Sequence, residues 1–181
     1  DNPSPSTLNI SEEWTFSVID PIFNYIKDRT ISSSNQYNLI GFSAGGQLAH
    51  RTFIFGNSNF CKTTIAMSSG WYTTINENLD FPYGLKESPF LNSSLNSIFS
   101  KELIILIGED DNNPNALGLR RNSIVDLQGD NRFDRAENFF LSAQNLANQE
   151  DYTFNWNKFI VTNAAHDLTP IANFAINLLY Q

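Results

Sequence analysis

The sequence predicts an α/β fold, a mostly parallel sheet with helices on both faces. Three observations carry that expectation. Strand-like and helix-like segments alternate along the 181 residues. The run Leu103-Ile104-Ile105-Leu106-Ile107 is apolar at every position, as a central parallel strand buried on both faces must be. Gly41-Phe42-Ser43-Ala44-Gly45 stands between a strand-like and a helix-like segment. No repeat or domain boundary interrupts the pattern, so residues 1–181 are expected to form a single domain.

The elements follow in order. Asp1-Asn2-Pro3-Ser4-Pro5-Ser6 reads as an extended lead-in. Ser11 is a candidate N-cap, with Glu12 and Glu13 in a first turn that favours negative charge. Trp14, Val18, Ile19, Ile22, Phe23 and Ile26 then recur at helical spacing. Pro21 interrupts that pattern, so the helix either kinks there or starts late. Residues 37–40 are expected as a strand, 44–55 as a helix ending near Gly56, 63–67 as a second strand and 102–107 as a third. A helix at 136–147, a strand at 154–161 and a helix at 168–179 complete the pattern. Residues 71–97 form a long, Asn-rich connection placed to fold over a site.

Composition excludes several functions. The net charge of −8 disfavours a nucleic-acid partner, which needs clustered Lys and Arg. A lone cysteine, Cys61, allows no intrachain disulfide and reads as a small residue packed near a strand. One cysteine and two histidines make neither a Cys-rich nor a multi-His metal centre, so no metal and no cofactor are expected. No apolar run reaches membrane-spanning length. Sequons stand at Asn9 and Asn92 and matter only in a secreted eukaryotic chain. The sequence opens on Asp1 rather than Met, so something upstream is expected to be missing, and localisation, cytoplasmic or exported, is not read from this end.

The chemistry centres on Ser43. In a Gly-x-Ser-x-Gly turn between strand and helix, the serine is held in a strained conformation with its oxygen proud of the sheet. The residues two before and two after it, Gly41 and Gly45, are expected to be small because their backbones nearly touch. The Ala44 amide points where an oxyanion would form. A phosphate loop would want Gly-Lys-Ser/Thr, which is absent. A serine needs a base. His50 lies on the same helix, on the order of 10 Å from Ser43 at about 1.5 Å per residue, too far for a hydrogen bond. His166, after the last strand, is therefore the expected base and His50 a structural residue. The third member should be an acid after a strand and between the two in sequence; Glu109, Asp110 and Asp111 all qualify.

These residues resemble the α/β-hydrolase superfamily. More closely, the chain resembles bacterial hydrolases related to polyhydroxybutyrate-depolymerase-type and feruloyl-esterase-type esterases. The matching stretches begin with Gly41-Phe42-Ser43-Ala44-Gly45-Gly46-Gln47, Ser69-Gly70-Trp71-Tyr72-Thr73 and Phe81-Pro82-Tyr83-Gly84-Leu85. They continue with Leu106-Ile107-Gly108-Glu109-Asp110-Asp111, Gln128-Gly129-Asp130-Asn131-Arg132 and Ala165-His166-Asp167. The resemblance implies a Ser43–Asp111–His166 triad, since the family's acid is the fourth residue of Gly-x-x-Asp; Asp110 is the alternative one position away. Residues 128–132 are expected either to line the site or, the preferred reading, to leave Arg132 and Arg135 as braces for neighbouring acids. Trp71, Tyr72, Phe81 and Tyr83 are expected either to line an apolar pocket or to pack.

The resemblance further implies a catalytic domain lacking the N-terminal strands of the complete fold. The edge of the 37–40 strand is then expected to be covered by an upstream segment or a partner chain. The expected activity is hydrolysis of a small-molecule or polymeric carboxylic ester through an acyl-enzyme. A peptidase or thioesterase of the same fold and a non-catalytic binding relative are the alternatives.

Overall fold

The structure, a computed structural model, describes residues 13–88 and 95–180. Its sheet contains strands β1 (Tyr37–Phe42), β2 (Cys61–Met67), β3 (Leu103–Gly108) and β4 (Trp156–Val161), in the order β1-β2-β3-β4. Every neighbouring pair is parallel, as the sequence predicts. Parallel neighbours require crossovers, which helices α2 (Ala44–Phe55), α3 (Leu95–Ser100) and α4 (Arg132–Gln149) supply; α5 (Leu168–Tyr180) follows β4.

β3 shows why both faces must be covered. Leu103, Ile105 and Ile107 point into one cluster with Phe53 and Ile54 of α2, Ile98 and Phe99 of α3, and Phe139 of α4. Ile104 and Leu106 point the other way, toward Ile65, Met67, Val161, and Ile171 and Ala175 of α5. The alternation is the strand's period of two, and each fully buried Leu or Ile contributes about 1.5–3 kcal/mol. The register aligns Phe42 with Met67, Met67 with Leu106, and Leu106 with Phe159. Ser43 and the loops after β2, β3 and β4 therefore leave the same edge of the sheet.

Several boundaries differ from the sequence expectation. A 3₁₀ turn at Thr15–Val18 precedes α1 (Ile19–Thr30), so Pro21 stands in the first turn, where its missing N–H has no helical partner to lose. The helix starts late rather than kinking, and its N-cap is Val18. Ser11 and Glu12, together with Asn9 and Asn92, lie outside the described residues. β2 begins earlier than expected and includes Cys61, which is only partly buried. α4 begins at Arg132 because Asn131 caps it, its side-chain oxygen accepting from Asp134 N–H at 2.9 Å. α3 begins within the last residues of the stretch 71–97 that the sequence reads as a connection and runs on to Ser100. β1 pairs with β2 alone among the described residues, and Ile40 is exposed along it.

The aromatic residues of the long connection pack. Trp71, Tyr72 and Tyr83 are buried, with Trp71 edge-on to Tyr83 at 5.0 Å and Tyr72 stacked on Phe139 at 4.4 Å. Phe81 meets Phe55 edge-on at 5.7 Å.

Candidate active site

Ser43 occupies the turn between β1 and α2 with φ 55° and ψ −114°, a backbone conformation costly for any residue with a Cβ. Two hydrogen bonds hold it there: its N–H donates to Met67 O at 2.9 Å, and its carbonyl accepts from Gln47 N–H at 3.1 Å. Glycine makes the turn possible, though not quite as the pentapeptide suggests. A Cβ on Gly41 would lie 2.0 Å from the Gly45 carbonyl oxygen, so that backbone approach is real. A Cβ on Gly45 itself would meet nothing within 4 Å. The second crowded position is Gly46, whose Cβ would lie 2.6 Å from Ser69 Oγ and 2.7 Å from Met67 O. The requirement for a small residue therefore sits at 41 and 46 rather than at 41 and 45.

His166 lies in the loop between β4 and α5. Its Nε2 stands 3.1 Å from Ser43 Oγ and its Nδ1 2.8 Å from Asp111 Oδ2. With the proton on Nδ1, the ring donates to the carboxylate and leaves Nε2 to accept from the serine. The Phe42 ring stacks on the imidazole at 4.7 Å, fixing its plane from below. Asp111 comes from the loop after β3 and is buried, whereas Glu109 and Asp110 are exposed. Ala44 is the first residue of α2, so its N–H belongs to the set a helix leaves unbonded.

The loops carrying Asp111 and His166 are pinned to one another. Glu109 N–H donates to Val161 O at 3.0 Å and Asp110 N–H to Ala164 O at 2.9 Å. A Cβ on Gly108 would lie 2.2 Å from Ala164 O, so only glycine permits this approach.

His50 sits elsewhere. It is fully buried, its Nδ1–H donating to Gly46 O at 3.0 Å while Nε2 accepts from Thr73 N–H at 3.0 Å. Burial pushes its pKa down to about 3, with nearby Arg51 adding to the shift, so the ring is neutral. It ties α2 to the connection after β2, as expected of a structural residue.

The sequence reading misses the neighbours of Asp111. Arg132, expected as a brace for nearby acids, reaches Asp111 Oδ1 at 3.4 Å, and Phe133 N–H donates to Asp111 O at 3.1 Å. The only available signal was an arginine one residue past an Asn cap. Gln128 spans the Tyr72 backbone with both ends of its amide, accepting from N–H at 2.9 Å and donating to O at 2.7 Å. No group of three metal-ligating side chains is found among the described residues, and no helix among them is long and apolar enough to cross a membrane.

No family model and no curated protein matches the sequence. The structure matches poly(aspartic acid) hydrolase-1 from Sphingomonas sp. KT-1 with TM-score 0.92 and 28% identity, over 99% of this chain and 68% of that one. A poly(3-hydroxybutyrate) depolymerase from Bordetella parapertussis matches with TM-score 0.87 and 25% identity, over 93% of this chain and 57% of that one. The chain has the α/β-hydrolase fold. A siderophore hydrolase from Aspergillus nidulans, at TM-score 0.52 and 15% identity, shares that fold over 97% of this chain and 60% of its own. The α/β-hydrolase domain described here thus spans 57–68% of the length of these solved chains. The neighbours are hydrolases, one of them a poly(3-hydroxybutyrate) depolymerase, in keeping with the resemblance found in the sequence.

Proposed function

We propose that residues 1–181 form a catalytic domain that hydrolyses a carboxylic ester through an acyl-enzyme on Ser43. The observation that carries this reading is the continuous run from Ser43 Oγ through His166, 3.1 Å on one side and 2.8 Å on the other, to the Asp111 carboxylate. His166 Nε2 takes the serine proton as Oγ attacks the ester carbonyl. The tetrahedral oxyanion is held by the Ala44 N–H, aided by the start of α2. Asp111 fixes the Nδ1–H tautomer and stabilises the imidazolium. His166 then returns its proton to the departing alkoxide, and the alcohol leaves. Water repeats the cycle, with His166 as base, and the carboxylic acid leaves Ser43 free.

The substrate class is a small-molecule or polymeric ester, a reading favoured by the neighbour named for poly(3-hydroxybutyrate). Amide cleavage is the second reading, favoured by the neighbour named for poly(aspartic acid). Turnover of an ester and an amide with the same acyl group separates them. The open edge of β1 is proposed to be covered by an upstream segment or a partner chain, supported by its pairing with β2 alone among the described residues. The decisive experiment is labelling with a fluorophosphonate. The adduct is expected on Ser43 and on no other serine; an unlabelled Ser43 in a folded, ester-cleaving protein overturns the reading.

A further inference from the structure

Two arginines lie one turn apart at the start of α4, both buried, and their surroundings differ. Arg135 is well satisfied: it donates to Gly129 O at 2.8 Å, Gly70 O at 2.7 Å and Arg120 O at 2.9 Å, and pairs with Asp126 at 3.2 Å. That is the pattern of a brace joining loops. Arg132 is 4% exposed and poorly satisfied. Its Nε is buried without a hydrogen-bond partner among the described residues, and its bond to Leu117 O is long at 3.5 Å. Its acidic partner is Asp111, itself 4% exposed, at 3.4 Å. A buried charge is retained only where it is paired, and here the pairing runs to a single carboxylate.

The geometry points to Arg132 as a positioning residue that holds the Asp111 carboxylate oriented toward His166; this rests on the triad reading above. Arg132 takes Oδ1 while His166 takes Oδ2, so rotation of the carboxylate would break both contacts at once. The same turn of α4 grips the backbone, through Phe133 N–H to Asp111 O at 3.1 Å, and Asn131 caps that turn. The other titratable groups near the pair include Arg135, one turn along α4 and interacting with Arg132, whose own contacts run to Asp126 and to backbone carbonyls. Glu109 and Asp110 flank Asp111 and are exposed, Asp167 follows His166, and the buried Tyr72 hydroxyl lies near Asp111. Arg132 is the cation in contact with the pair among the described residues.

The test is kcat/KM against pH on a chromogenic acyl ester for Arg132→Met, Arg132→Gln and Arg132→Lys. The acidic limb is expected to move to higher pH by on the order of one unit in Met and Gln, the effect of losing one close charge, and to stay near its original place in Lys. Folded Met and Gln variants with an unmoved limb, or a Lys variant that moves as far, overturn the inference. Should neither neutral variant fold, Asp111→Asn with Arg132→Met removes both charges and decides the matter. A rate equal to that of Asp111→Asn alone supports action through Asp111, and a further loss overturns it. A Ser43→Ala protein with undiminished activity would instead sink the triad reading, a result obtained without touching Arg132.

Discussion

The two histidines carry one side chain into opposite situations. His50 is surrounded by α2 backbone, Tyr72 at 5.1 Å and Phe139 at 5.7 Å, and both ring nitrogens are used by main-chain groups. His166 stands at the open edge of the sheet with a carboxylate on one nitrogen and a hydroxyl on the other. In both rings Nδ1 faces an oxygen acceptor. What separates them is the partner: a carboxylate can stabilise a charged ring and a carbonyl in a dry interior cannot. A histidine becomes a candidate base through what it donates to, and not through burial or a perturbed pKa alone.

The comparison breaks first at Ser43. Ser43→Ala is expected to lower kcat by on the order of 10⁶, the scale for losing a nucleophile that acts as a unit with its base. Steady-state rates on an activated ester measure it, and retention of activity would place the chemistry elsewhere. Asp111→Asn is expected to cost on the order of 10⁴ in kcat by allowing the wrong tautomer. Asp110→Asn should do little; if it proves the damaging change, the acid is one residue off.

His50 supplies the opposite effect. His50→Gln should lower stability by about 1–3 kcal/mol for each main-chain group left unsatisfied, read by urea unfolding, while folded protein keeps its turnover. The pH dependence follows from the same burial. The folded ring has its pKa lowered to about 3, whereas an unfolded one titrates near ~6.5. Between these values the unfolded chain binds more protons, so this contribution is complete above about pH 6.5 and is lost as pH falls toward about 3. His50→Gln should flatten that part of the stability profile. A profile equally steep in the variant would assign the loss to other groups. The smallest change is a control on the helix the comparison shares. Gly45→Ala meets open space and should stabilise α2 by about 0.5–1 kcal/mol, whereas Gly41→Ala collides with main chain.

Much of this was legible in the sequence. The all-apolar run at 103–107 and the alternation of elements give a parallel sheet, and the glycines around Ser43 give the turn. Helical rise along α2 sufficed to place His50 out of reach of Ser43. What was hidden depends on folding partners with no local signature. Arg132 looks like any arginine in a helix's first turn until β3 brings Asp111 beside it. The crowding at Gly46 comes from Ser69 and Met67, which belong to the next strand and its loop. α3 is too short for a periodic signal, whereas the late start of α1 was one of the two outcomes that Pro21 allowed.

The contact between Gly108 and the Ala164 carbonyl has a consequence for tolerances. Asp111 and His166 come from loops far apart in the chain, and in most assemblies such a gap would accumulate the play of every joint between them. Here the two loops touch directly beside the residues they carry, so the dimension that matters is referenced to a single abutment. A methyl group at position 108 would act as a shim. It would leave every chemical group in place and still spoil the fit.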